Sequence, residues 1–308
     1  MTRKFNIKSF LLNYNVFIIF VLLFVVCSFA SESFLLPINL WNIGLQQCYP
    51  IFVAIGMLFP IIIGTIDLSV GSVMGFTASI VCIAISRGNV SLPVAILITL
   101  GVGLACGLVN GAIVAYCNIP GFVVTLATLT IIKGTALVIT NGGTVRVEGN
   151  ILLNLSKKVY HYPVIIITAI VVILFILMQK YTTFGRTILA VGSNKTAVEL
   201  SGIQAKKYIV AAYLISGVMS AFAGLWLCCR TSTASAVLGE GSELNAVAAC
   251  VLGGASLSGG RGSVLKTVVG AFCIAMIGNI MNLLGIGAYI QEIVQGVLII
   301  FAVLMYGI

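Results

Sequence analysis

About ten apolar runs follow one another along this chain, with almost no hydrophilic stretch long enough to fold between them. Roughly 20 apolar residues span a bilayer as a helix, and an open sheet cannot satisfy its backbone in lipid. The runs therefore predict an all-α polytopic membrane protein with about ten transmembrane helices. They fall near residues 14–30, 43–63, 68–86, 92–116, 122–140, 163–179, 208–229, 244–257, 264–284 and 289–306. The eighth is short for a crossing at 1.5 Å per residue; it reads as a tilted helix or as a half-helix with irregular flanks. Such spans exhaust the 308 residues, so 1–308 reads as one transmembrane domain. Only 7% of the residues are charged, where soluble domains carry roughly 25%, and no water-facing surface can be built from that material.

The net charge of +9 would point to nucleic acid in a soluble protein, but here the cations sit in loops. With the N-terminus inside, Arg3, Lys4, Lys8, Lys180, Arg186, Lys195, Lys206, Lys207, Arg261 and Lys266 face the cytoplasm. Arg87, Arg146, Lys157, Lys158 and Arg230 face outward, and Lys133 lies within a span. Ten cations against five satisfy the positive-inside rule and place both termini in the cytoplasm. Arg3, Lys4 and Lys8 ahead of the first run resemble a secretion signal; with so many hydrophobic segments behind them they read as an uncleaved signal-anchor. Seven of the nine cysteines fall in or at the ends of apolar runs and no C-x-x-C pair occurs, so the thiols read as small hydrophobes. The single His161, in a polar loop, excludes bis-histidine ligation. No metal site is expected.

Residues 184–203 form a polar, cationic interruption. Within it, 195–201 suits about two helical turns, with Ser193 or Asn194 as the N-cap and Gly202 at the left-handed C′ position. Ala197, Val198 and Leu200 give the helix a small apolar patch beside Lys195 and Glu199. Two readings fit: a solvated connection between spans, or a knob on which an outside protein pushes.

Between the second and third spans, Gly64-Thr-Ile-Asp67-Leu-Ser69-Val-Gly71-Ser72 stands where a hydrophilic loop is expected. Asp67 is the only carboxylate between Glu32 and Glu148, and an ionisable group at membrane depth marks a functional position. It reads as the N-cap of the third span, with Leu68 the first helical residue, or as a substrate contact; the roles are compatible. Gly253-Gly-Ala-Ser256-Leu-Ser258 aligns without a gap to Gly64–Ser69, as an internal repeat would, although Gly/Ser-rich turns also coincide by chance. Asn110, Asn279 and Asn282 are amides on apolar helices, suited to interhelical hydrogen bonds or to a hydroxylated solute. Gly103-x-x-x-Gly107-x-x-x-Gly111 suits close helix packing. The chain has no G-x-x-x-x-G-K-[ST]; if ATP drives it, another subunit hydrolyses the nucleotide.

In their order and spacing, Ala54-Ile-Gly56-Met, Gly64-Thr-Ile-Asp67-Leu-Ser-Val-Gly71-Ser, Asn110-Gly111, Pro120-Gly-Phe-Val-Val-Thr125-Leu, Phe184-Gly185-Arg186, Ala190-Val-Gly-Ser-Asn194, Leu252-Gly-Gly-Ala-Ser256-Leu and Gly259-Gly-Arg-Gly262-Ser carry a resemblance over nearly the whole chain. It is to the permease subunits of bacterial ABC sugar importers, the ribose, xylose, arabinose and galactoside permease family. Thr65 departs from the second glycine usual there. The resemblance implies an inner-membrane permease working as a homodimer or heterodimer, with a cytosolic ATPase that binds ATP and magnesium and a periplasmic sugar-binding protein. It implies that the loop 181–207 couples to the ATPase through Gly185, Arg186, Asn194, Lys195, Ala197, Glu199, Leu200 and Gly202. Asp67, Ser69, Asn110, Asn279 and Asn282 are the pathway candidates, and the outer loops 141–162 and 230–243 would receive the binding protein. The permease would carry no cofactor of its own. The alternative is an ion-coupled secondary transporter of a small neutral solute, against which the scarcity of ionisable groups in the spans argues. A passive channel and a membrane enzyme are weaker rivals, the latter for want of a catalytic cluster.

Overall fold

A computed structural model describes residues 7–148, 152 and 162–307. Arg3, Lys4, Lys157, Lys158, His161 and most of the loop 141–162 lie outside them. The helices are α1 (Ile7–Ala30), α2 (Pro37–Gln46), α3 (Cys48–Ile62), α4 (Val70–Ser86), α5 (Leu92–Cys117), α6 (Gly121–Thr140), α7 (Tyr162–Tyr181), α8 (Thr183–Ser193), α9 (Lys195–Leu200), α10 (Ala205–Thr231), α11 (Ser242–Leu252), α12 (Val264–Leu283) and α13 (Ala288–Gly307). The chain is an all-α polytopic membrane protein. Six stretches are long and apolar enough to cross a bilayer: α2–α3 together, α5, α6, α7, α10 and α12. Shorter apolar helices cover the other four expected runs.

Local chemistry explains most of the boundaries. Pro37 and Pro93 stand in the first turns of α2 and α5, where a missing N–H costs nothing. Asn118, Asn141 and Ser232 close α5, α6 and α10 in the left-handed region. The expected second span is two helices, because Pro50 has no N–H to give the Gln46 carbonyl and the ladder breaks at Gln47. The eighth run resolves as α11, whose 11 residues rise only about 16 Å before the left-handed Gly254 ends it.

Nearly every residue of α3 is buried, as suits a helix apolar on all sides and surrounded by protein rather than lipid. Around it pack α10, α11, α12 and α4, and α10 also lies along α5. A Cβ on Gly103 would stand 2.6 Å from the Gly217 carbonyl oxygen, and one on Gly107 would overlap the Tyr213 carbonyl. That glycine seam brings the two backbones together. By contrast α7, with Ile166, Ile170, Ile173 and Leu174 exposed, has the surface of a lipid-facing helix. The one sheet among the described residues pairs Val145 with Ala234 and Arg146 with Thr233, tying the segment after α6 to the segment after α10.

The repeat is present in the backbone, shifted by one residue from its sequence alignment. After α3 the N–H of Gly64 donates to Ile61 and that of Thr65 to Pro60; after α11 Gly254 donates to Val251 and Ala255 to Cys250. Gly64 and Gly254 have φ +80° and +81°, so it is Gly64 and Gly254 that correspond, not Gly64 and Gly253. Each helix thus ends in the same glycine-dependent turn before a second helix starts.

Candidate functional site

Three places concentrate polar groups. The first is the knob. The Thr182 hydroxyl accepts from the Gly185 N–H (3.2 Å) to start α8, and a Cβ on Gly185 would overlap the Gln179 carbonyl, so this sharp entry needs glycine. Asn194 is extended at φ −159°, and its Oδ1 accepts from the Ala197 N–H at 2.9 Å, capping α9. Gly202, at φ +81°, closes the helix as its spacing predicts. Six residues do not hold a helix in water unaided. Val198 anchors this one, buried against Ala115, Val191, Ala205, Ile209 and Tyr213. Arg186, Ala197 and Glu199 are left exposed, with Lys195 half-buried, and Leu200 is 85% exposed. The result is a capped, anchored helix that presents a bare leucine.

The second place surrounds Asp67, which is 2% exposed. One carboxylate oxygen accepts from the Ser69 N–H (3.0 Å) and the Ser69 hydroxyl (2.6 Å), and the other accepts from the Ser216 hydroxyl (2.7 Å). Asn110 Nδ2 donates to the Ser69 Oγ at 2.9 Å. The Thr125 hydroxyl meets the Leu68 N–H and the Ile66 carbonyl, and Tyr213 donates to Thr65. Helix α4 begins at Val70 rather than at Leu68; Asp67 closes a turn ahead of the helix while bridging to α10. The N-cap position is Ser69 and its side chain makes no capping bond, so Asp67 is not the helix cap the sequence suggested: its carboxylate is taken up by Ser69 and Ser216, and the cluster ties α5, α6 and α10 to the break after α3.

The third place is a cavity of about 300 Å³ walled by α2, α3, α11, α12 and α13. Its polar lining is mostly amide (Gln46, Gln47, Asn245, Asn279, Asn282 and Gln295), joined by the hydroxyls of Tyr49 and Ser242. Among the described residues no charged side chain lines it. Asn279 exchanges two hydrogen bonds with Asn39 (2.8 and 3.1 Å), and the Asn282 Oδ1 accepts from Gln291 Nε2 (2.8 Å). Both amides therefore brace helices and face the cavity together. A neutral, hydrogen-bonding hollow of this size accommodates a small polyhydroxylated molecule, whose hydroxyls both donate and accept as amides do.

The structure separates the five pathway candidates. Asp67, Ser69 and Asn110 meet in the buried cluster; Asn279 and Asn282 line the cavity. Thr125 was noted only within the Pro120–Leu126 motif, and Ser216, Gln46, Gln47, Asn245 and Gln295 were not singled out in the sequence. Each amide stands in or beside an apolar run, the signal that marks Asn279, although Gln46 and Gln47 are neighbours and Asn245 follows Ser242 and Glu243. Lys133 is not alone at membrane depth: it pairs with Glu240 from the segment before α11.

The family model described as branched-chain amino acid transport system / permease component matches residues 39–303. The ribose import permease protein RbsC of Bacillus subtilis (strain 168) is 37% identical, covering 92% of this chain and 89% of that protein. RbsC of Haemophilus influenzae is 35% identical over 98% and 95% of the two chains. The L-arabinose transport system permease protein AraH of Escherichia coli (strain K12) is 34% identical over 94% and 89%. No solved structure matches the chain.

Proposed function

This chain belongs to the branched-chain amino acid transport system / permease component family, and on that premise we propose that it forms the path for a neutral monosaccharide in an ATP-driven, binding-protein-dependent importer. It is a multi-pass protein of the bacterial inner membrane and a transport subunit, not itself an enzyme. The family description names amino acids, whereas the relatives above name sugars. The observation that favours sugars is the cavity: a zwitterionic amino acid would leave an ammonium and a carboxylate uncompensated among amides and hydroxyls, at a cost of several kcal/mol. Hydroxyl groups ask for no charged partner.

In this reading all ten apolar runs carry the chain across the membrane, the short α11 doing so only together with the irregular segments that flank it, both termini are cytoplasmic, and residues 1–308 form one permease domain. The gathering of Lys180, Arg186, Lys195, Lys206, Lys207, Arg261 and Lys266 about α8, α9 and the helix ends beside them supports that orientation. The knob α9 then docks on a cytosolic ABC ATPase, which holds the ATP and magnesium. The segments 141–162 and 230–243 face the periplasmic sugar-binding protein, and a second permease copy, identical or homologous, completes the pore. ATP drive is favoured over ion coupling because Asp67 already accepts three hydrogen bonds and Lys133 is paired, leaving no chain of free ionisable groups in the spans among the described residues.

The docking role is tested by Ala197→Asp combined with Leu200→Asp. Both side chains are exposed, so the protein should insert normally. Co-purification with the ATPase and uptake in cells should each fall at least tenfold. Normal uptake by the double variant refutes the docking role.

A further inference from the structure

Two pairs of residues spaced four apart wall a second hollow. Asn42 and Gln46 share one face of α2, and Trp226 and Arg230 share one face of α10, as the helical turn requires. With Leu45, Tyr49, Val164 and Leu227 they enclose about 160 Å³ between α2, α3, α7 and α10. Asn42, Gln46 and Arg230 are exposed while Trp226 and Val164 are buried. Polar groups thus rim the hollow, and an indole and a valine close it off. Gln46 and Tyr49 also line the larger cavity, but Arg230 lines this hollow alone.

Among the described residues the hollow holds one charge, the Arg230 guanidinium, and no carboxylate forms an ion pair with it. The Trp226 N–H is likewise buried without an acceptor among them. A cation in the last turn of α10 suits the helix dipole. The dipole asks for no indole and no amides beside it, however, and an unpaired guanidinium among further donors is a place for an anion. Its planar fork matches two oxygens of a phosphate. The amides of Asn42 and Gln46 and the Tyr49 phenol both give and accept hydrogen bonds, as hydroxyls need. The surroundings are those of a membrane surface. Val164 is the third residue of α7 and Arg230 the last but one of α10. Beyond Val164, α7 exposes Ile166, Ile167 and Ile170, and ahead of Asn42, α2 exposes Ile38 and Leu40. Trp, Tyr and Arg at helix ends stand at the level of lipid headgroups.

We propose that this hollow binds the headgroup of an anionic phospholipid, with Arg230 on the phosphate, Asn42, Gln46 and Tyr49 on headgroup hydroxyls, and Leu45, Val164 and Leu227 against the first carbons of the lipid. Phosphatidylglycerol carries that combination of one negative charge and free hydroxyls. A choline headgroup brings a second positive charge beside the guanidinium and no hydroxyl, so it fits worse. A lipid seated here joins α2, α7 and α10. The site needs only that the chain spans a membrane, and it stands whether or not the import reading does.

Purified permease carrying Trp41→Phe keeps Trp226 as its single indole. Phosphatidylglycerol brominated on an acyl chain quenches an indole it lies against. In detergent micelles it should half-quench Trp226 at a lipid fraction at least fivefold below that of brominated phosphatidylcholine. Arg230→Gln should bring the two lipids within twofold of each other, and millimolar inorganic phosphate should leave the quenching unchanged. Where Trp41→Phe disturbs folding, wild-type protein reports through its unfolding midpoint. Phosphatidylglycerol should raise that midpoint more than phosphatidylcholine does, and Arg230→Gln should erase the difference. Equal effects of the two lipids, or a preference that survives Arg230→Gln, overturn the site. Relief of quenching by inorganic phosphate assigns the hollow to a free anion and overturns the lipid.

Discussion

Asp67 and Asn110 stand in one buried cluster, yet they differ in what their loss should cost. The Ser216 hydroxyl donates to a carboxylate, and a hydrogen bond to a charged group contributes about 1.5–3 kcal/mol. Ser216→Ala should therefore destabilise the protein by about that amount, read as denaturant or thermal unfolding in detergent. Asn110 makes one hydrogen bond through Nδ2 but buries its Oδ1 with no partner, and such an orphan itself costs about 1–3 kcal/mol. The two effects oppose each other, so Asn110→Leu should shift stability by less than about 1 kcal/mol. A large loss there would mean that the orphan oxygen is satisfied in the membrane. At this scale much was legible. Asp67 is conspicuous because a lone carboxylate in an apolar chain announces itself, and Gly202 because its place after a capped helix asks for positive φ. Ser216 was not, because a serine in a span is common and only the fold brings it to Asp67.

Among the elements, the glycines divide by their surroundings. Gly107→Val puts a branched side chain where a Cβ would already overlap the Tyr213 carbonyl, which should pry α5 from α10 and lower the yield of monodisperse protein in size-exclusion chromatography. Gly101→Val on the same helix meets nothing within 4 Å and should leave the elution profile unchanged. Sequence spacing alone separated the 103–107–111 row from its neighbour only in part, since what a glycine faces depends on the partner helix. The knob was the most legible element: its cap, apolar anchor and terminating glycine all lie within ten residues, so local chemistry suffices. Asn194→Ala should cost about 1 kcal/mol by removing the bond to the Ala197 N–H, measurable as a lower unfolding midpoint. The break between α2 and α3 was passed over, although Pro50 holds the reason for it. The β1–β2 ribbon, Val145–Arg146 with Thr233–Ala234, has two residues a side and no periodicity to betray it.

Across the whole molecule, α3 links the parts: a polar hollow at its start, close glycine contacts at its end, and a helix whose cap, Asn194, lies two residues beyond Gly192, the glycine packed on that end. The hollow could not be read from the sequence, because Gln46, Asn245 and Gln295 lie about 200 and 50 residues apart and meet only when α2, α11 and α13 surround the same space. In the proposed reading its chemistry sets what passes. A neutral polyol should be imported while a branched-chain amino acid of similar size is not, even when each is presented at saturating concentration. The most direct measurement is accumulation of labelled ribose, arabinose or xylose in liposomes holding the purified permease. ATP is supplied to the ATPase side, and the companion ATPase and binding protein are added or withheld. Accumulation that needs both companions and ATP is the expected result; accumulation by the permease alone, driven by a proton or sodium gradient, would contradict it.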